Sequence, residues 1–325
     1  MKYYVIAPAS IESGGPELAH QMCMELNNLK EEAYMYYVRT DRFQVEPVDI
    51  NASPKYGKYR TKHVSSNVKI DVDTAVVLFN EGSTVYIPYI KAKRKVLWWM
   101  SVDNYKMCTA ELDLDIIRKE VSLHLVQSYY AYLYVRDSIG IPEEKILYVS
   151  DYIAEKYFMR IDAAIPRMDI ALYNPKKGLD KVLPIIEQTP WLKWIPLINL
   201  TEEDMIAYMH LAKVYVDFGN HPGKDRIPRE AAICGCCVIT NREGSAAYWQ
   251  DVPIPEEYKF SNIEHQCMKV VELIKDICLN HDKHIDNFKE YRAYIGEERE
   301  RFTRDVKKMI TVSYTHLTLP TTSRV

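Results

Sequence analysis

Short apolar, β-branched runs recur along this chain, and most are followed by a segment with helical spacing. Residues 2–7, residues 33–38, DTAVVLFNEG, RKVLWWMSVDNY, HLVQSYYA and KILYVSDYI form a first series; MDIALYNPKKG, WLKWIPLIN, VYVDFG and CCVIT form a second. Continuous apolar runs, as opposed to alternating ones, belong to strands covered on both faces. Strands of that kind separated by helices assemble as a parallel sheet with helices on either side. The predicted fold class is therefore α/β with doubly wound parallel sheets. One core rarely grows to serve 325 residues, and the series restarts at MDIALY after a linking stretch at residues 154–165. Two Rossmann-like domains are expected, residues 1–165 and residues 166–290.

In open parallel sheets ligands gather beyond the carboxyl ends of the strands. The first such end carries PASIESGGPELAH, where Gly14 and Gly15 let backbone come close to a ligand, Pro16 suits a first helical position, and Glu17 and His20 follow. The spacing is not GxGxxG, and a plain strand-to-helix turn is the alternative. Asn80, Glu81, Ser101, Asp103 and Asn104 sit at later strand ends and are predicted to line a cleft, whereas Trp98 and Trp99 point to opposite faces of one strand and belong to the core. In the second series, NPKKG places Lys176, Lys177 and Gly178 after the opening strand.

The most informative stretch is VYVDFGNHPGKDRIPREAAICGCCVIT, residues 214–240: strand, polar loop, short helix, strand. Pro228 is placed at the first helical position, Glu230 in the first turn, and Gly235 as a left-handed cap. Free N–H groups at the helix start, added to Lys224, Arg226 and Arg229, make a site for a dianion such as a diphosphate, with Glu230 left to accept hydroxyl hydrogens. That combination suggests a nucleotide-sugar site; the alternative is an ordinary connection whose basic residues are solvated. After the next strand, Gly244 and Ser245 are expected to offer backbone amides to phosphate or sugar, with Tyr248 nearby to stack.

PREAAICGCCVIT resembles the C-terminal-domain signature of retaining GT-B glycosyltransferases of families 4 and 1, where a glutamate opens a helix followed by a small-Cys-Gly turn and a strand. Glu230 matches the second glutamate of that signature. The acid expected eight residues earlier is Pro222, with HPGKDR replacing Glu-Gly-Phe-Gly, and a bacterial and phage-type subgroup is similar over the whole HPGKDRIPREA string. The resemblance implies a GT-B fold, two Rossmann-like domains facing a cleft with the Gly14-Gly15 loop opposite the segment from Lys224 to Glu230, and a terminal helix at residues 291–311 returning to the first domain. It implies transfer of a sugar from a nucleotide-diphosphate donor to a glycan or related acceptor in polysaccharide biosynthesis, with retention and with no metal or cofactor. Lys177, Lys224, Arg226, Gly244 and Ser245 would hold the diphosphate, Lys224 also stabilising the leaving group. Glu230 would hold the ribose, and His20 or Asp103 would assist the acceptor. A non-catalytic nucleotide-sugar or glycan-binding module and a nucleotide-sugar hydrolase or epimerase stand as alternatives, the first because of Pro222, the second if an acid or base is poised in the cleft.

The formal charge of −3 gives no support for a nucleic-acid partner. Seven cysteines with a lone CxxC, Cys234 to Cys237, predict reduced thiols in a cytoplasmic chain. Nothing approaches 18 consecutive apolar residues, so no span is expected, although peripheral membrane association is left open. Thr311, Ser313, Thr315 and Pro320 predict that VSYTHLTLPTTSRV leaves the terminal helix, and residues 312–325 resemble translated adapter sequence, an expected non-native tail.

Overall fold

A computed structural model describes residues 1–9, 11–108, 114–159 and 166–315. The chain forms two compact units, residues 1–151 with 300–325, and residues 152–299. In the first, β1 (Lys2–Pro8), β2 (Glu32–Val38), β3 (Val76–Asn80), β4 (Arg94–Trp99), β5 (Leu123–Val126) and β6 (Ile146–Tyr148) pair in the order β2-β1-β3-β4-β5-β6, each neighbour parallel. The apolar runs of β1, β3, β4 and β5 are buried on both faces, whereas the edge strand β6 is only partly covered. Trp98 Nε1 donates to the Val149 carbonyl at 2.9 Å, and Trp99, on the opposite face, donates to His124 Nδ1 at 3.0 Å. The strand order reverses between β1 and β3, which opens a crevice at their carboxyl ends. The helix Gly14–Asn28 starts there, and Asn80 Nδ2 bridges to the Ile6 carbonyl at 3.2 Å.

The second unit holds β7 (Met168–Tyr173), β8 (Lys193–Pro196), β9 (Ala212–Asp217), β10 (Cys237–Asn241) and β11 (Lys259–Phe260), ordered β11-β10-β9-β7-β8 and again parallel throughout. Its order reverses between β7 and β9. Its core combines Ile170, Leu172, Val214, Val216, Val238 and Ile239 from the strands with Val182, Ile185, Ile274 and Ile277 from helices.

Several elements differ from expectation. β11, which is not among the apolar runs of the second series, is a two-residue strand held to β10 by the pairs Thr240 with Lys259 and Asn241 with Phe260. Two residues are too short to show a period. The segment from His281, whose end includes the terminal helix expected at residues 291–311, is three helices, His281–Asp286, Lys289–Gly296 and Glu298–Thr315. The breaks let Phe288, Tyr291 and Ile295 turn into the core of the second unit, while Phe302, Val306 and Met309 are buried further along. The last helix continues past Thr311 to Thr315, because Ser313 returns its hydroxyl to the Met309 carbonyl at 2.9 Å and so satisfies itself within the helix. Thr303 Oγ1 donates to Glu25 at 2.6 Å, and Tyr314 lies within 3.2 Å of Glu31, so this helix is tied to the first unit. Residues 316–325 lie outside the described part of the chain.

Candidate functional site

The reversal point between β7 and β9 is where three loops interlock. The loop after β7 ends at Gly178, whose φ of +66° caps the helix Leu179–Gln188. A Cβ on Gly178 would stand 2.4 Å from the Phe218 carbonyl oxygen, and one on Gly219 would stand 2.4 Å from Lys177 Cβ. These loops approach closely because both positions lack a side chain. At the start of the third loop, the last residue of β10, Asn241, donates through Nδ2 to the carbonyls of Phe218 and Gly219 at 3.0 and 2.8 Å. Ser245 gives its N–H to the His221 carbonyl at 2.9 Å and its hydroxyl to the Gly223 carbonyl at 2.5 Å. Gly244, at φ +55°, packs so tightly that a Cβ would lie 2.0 Å from the His221 oxygen.

The enclosed loop carries a charge network. Asp217, the last residue of β9, accepts from Tyr215 Oη at 2.7 Å and from the Gly219 N–H at 3.1 Å. His221, only 1% exposed, lies with Nδ1 3.0 Å from Asp225 and Nε2 3.7 Å from Asp217. Burial disfavours its imidazolium, but the Asp217 carboxylate and the Asp225 hydrogen bond together more than offset that, and the pKa is raised. Burial likewise works against the Asp225 carboxylate, yet His221 and Lys177 hold its pKa below the usual range. Lys177 Nζ sits 3.1 and 3.0 Å from the two Asp225 oxygens and 3.4 Å from the Asn220 carbonyl. Asp217, His221 and Asp225 bring ligand atoms within 4.8 Å of one another, a spacing a cation could use. The imidazole and the Lys177 ammonium already occupy that role for Asp225.

The helix Arg226–Ile233 begins two residues before the position expected from Pro228, with Asp225 as its cap residue. Pro228 therefore stands third, where its missing N–H is still one of the groups a helix start leaves without an internal partner. Gly235 adopts the expected left-handed conformation, φ +98°. Arg226 opens the helix half-buried, and Glu230 is buried one turn on. Lys224 is placed differently from expectation. Its ammonium is buried, 2.8 Å from Glu298 Oε1 and 4.7 Å from the centre of the Tyr294 ring. Arg229 is buried as well, 2.8 Å from Glu298 Oε2, and its Nε and Nη2 donate to the carbonyls of Asp225 and Lys224 at 3.1 and 3.0 Å. Nor does Ser245 present its amide to a ligand, since that N–H is used within the loop cluster.

Lys177, Lys224, Arg226, Glu230, Gly244 and Ser245 all belong to the second unit: Lys177, Gly244 and Ser245 pack against the loop after β9 that carries Lys224, and Arg226 and Glu230 follow it in the helix Arg226–Ile233. The remaining expected residues belong to the first unit. Gly14, exposed, and Gly15, half-buried, start the helix Gly14–Asn28, with no atom within 4 Å of an added Cβ on either. His20 is 1% exposed and stacked on Tyr56 at 4.7 Å; Nδ1 pairs with Thr61 Oγ1 at 2.7 Å and Nε2 with Tyr37 Oη at 3.3 Å. Burial lowers its pKa to about 4. Asp103 is half-buried and accepts from Tyr130 Oη at 3.3 Å. Glu81 is enclosed, accepting from the Met100 N–H at 3.0 Å, and burial raises its pKa to about 7. Sequence reasoning missed the Asp217, His221 and Asp225 network, although all three lie in or beside the highlighted stretch. It also missed Glu298, 69 residues beyond Arg229, for which no local signal exists.

No family model matches the sequence, and no curated protein does. Solved structures do resemble the chain along its whole length. Sucrose-phosphate synthase from Thermosynechococcus elongatus superposes with a TM-score of 0.65 at 13% identity, covering 97% of this chain and 99% of that one. A glycosyltransferase from Rickettsia africae gives 0.63 at 12% identity, covering 98% and 99%. Anabaena HepE in complex with UDP and glucose gives 0.62 at 10% identity, covering 98% and 99%. At such identities the likeness establishes the fold, which is GT-B: two Rossmann-like parallel-sheet units in one chain.

Proposed function

We propose that this chain is a glycosyltransferase that takes a sugar from a nucleotide-diphosphate donor and passes it to a glycan or related acceptor, with retention of configuration and without a metal. The observation that carries the reading is the loop cluster at the β7/β9 reversal point, where Lys177 and the start of the helix Arg226–Ile233 converge. Among proteins of this fold, HepE has been seen with UDP and with UDP-glucose.

As the bond from sugar to phosphate breaks, negative charge grows on the departing diphosphate. Fixed donors that are already oriented stabilise that charge without reorganising. Lys177, Arg226 and the helix-start N–H groups supply them, while Lys224 and Arg229 shape the loop that presents them. Glu230 accepts from the ribose hydroxyls. On the acceptor side Asp103 is the candidate to receive or orient a hydroxyl, because both nitrogens of His20 are engaged and its lowered pKa keeps it neutral near pH 7.

Calorimetric titration with UDP and uridine tests the reading. A charged hydrogen bond contributes about 1.5–3 kcal/mol, so Lys177→Ala or Arg226→Ala should weaken UDP binding roughly 10- to 100-fold and leave uridine nearly unchanged. Glu230→Gln should weaken both ligands. Unchanged UDP affinity in both alanine variants would mean the basic loop is a solvated turn and the donor binds elsewhere.

A further inference from the structure

We infer that Glu298, the first residue of the terminal helix, is a positioning residue for the donor loop, acting through Lys224 and Arg229; the inference rests on the nucleotide-diphosphate reading above. Glu298 is 1% exposed at its side chain and divides its two oxygens between the two cations, Oε1 to Lys224 and Oε2 to Arg229, each at 2.8 Å. Arg229 then carries the constraint into the backbone. Its Nη2 and Nε hold the carbonyls of Lys224 and Asp225, the residues immediately before the helix Arg226–Ile233.

One carboxylate therefore fixes the ends of two side chains and, through one of them, the peptide groups that aim the helix start. Lys224 is further confined by the Tyr294 ring under its ammonium. Nothing in Glu298 needs to touch the donor for this to matter. With the carboxylate removed, two buried cations would lose their shared counter-charge and move apart or toward water. The loop from Lys224 to Arg226 would then lose its aim at a diphosphate. The nucleoside part of a donor, which does not depend on that aim, would be held as before. Glu298 reaches this loop from the second chain crossing between the compact units, the boundary falling after Arg299.

The test is the ratio of UDP to uridine affinity in Glu298→Gln, with melting temperature recorded separately. The expected result is a UDP preference reduced at least roughly tenfold, the scale of one charge-assisted hydrogen bond, with uridine affinity close to wild type. Should Glu298→Gln fail to fold, Glu298→Asp keeps the charge on an arm too short to hold both cations, and the same loss of preference is expected. A second arm places Glu298→Gln in a Lys224→Met background, where its effect on the ratio should shrink. A variant that melts lower but keeps the wild-type preference would make Glu298 a plain structural ion pair and overturn the inference. A wild type with no preference for UDP over uridine would instead bring down the nucleotide-diphosphate reading, and this role with it.

Discussion

An imidazole shut between two carboxylates, as His221 is between Asp217 and Asp225, makes its loop sensitive to pH in one direction. Lys177 and Tyr215 face the same network, Lys177 on Asp225 and Tyr215 on Asp217. Because the folded pKa of His221 is raised, its contribution to stability is complete below the unfolded value of about 6.5 and is lost as pH rises through the folded value. Thermal melts of wild type and His221→Gln across that range should show the wild-type advantage shrinking as pH rises; a constant advantage would mean that folding leaves the pKa of His221 unshifted, and a growing one that the fold holds the imidazole neutral. Glycines give a second residue-scale expectation. Gly244→Ala should cost about 1–3 kcal/mol for the left-handed backbone alone, with the approach to the His221 oxygen in addition, whereas Gly14→Ala, with open space around it, should leave the melting temperature nearly unchanged. Single residues were the least legible level of the sequence. A lysine in HPGKDR reads as an open cation, but the partner that closes Lys224 off lies far down the chain, where no local pattern announces it. His20 shows the same limit, since its burial depends on Tyr37, Tyr56, Tyr59 and Thr61 from distant segments.

Elements were read more reliably where they were long or strongly apolar. Four consecutive buried residues in β3 and six in β4 leave few alternatives to a central strand, and both were visible as continuous apolar runs. Ends were harder to place. A proline near a helix start fits any of the first several positions, which is why taking Pro228 as the first helical residue puts the start two residues late. At the other end of the chain, Thr311, Ser313 and Thr315 read as helix breakers by propensity, yet Ser313 is buried and Tyr314 reaches Glu31 and the amino terminus. Tertiary contact outweighs the small propensity differences among such residues. Two truncations separate these readings: removal of residues 316–325 should leave the melting temperature unchanged, while removal of residues 312–325 should lower it by severing the Tyr314 contacts. Equal melting temperatures for both would show that the last helical turn contributes nothing.

For the whole molecule, the alternation of apolar runs and helices carried the fold, because two parallel sheets of this order need little beyond strands buried on both faces and short connections. That requirement is met by many sequences, so structures of 10–13% identity superpose over nearly the full chain. Among the described residues no helix is long and apolar enough to cross a membrane. The proposed function rests on fewer residues, chiefly those at the β7/β9 reversal point. Sugar transfer from a nucleotide-diphosphate donor is tested by incubating the protein with UDP-glucose and a panel of other nucleotide sugars, with and without glycan acceptors. Released nucleotide and the anomeric configuration of the product, read by NMR, are the observables. The account predicts nucleotide release that depends on acceptor, with the donor's configuration kept; release that is indifferent to acceptor, or no release with any donor while nucleotide still binds, would contradict it.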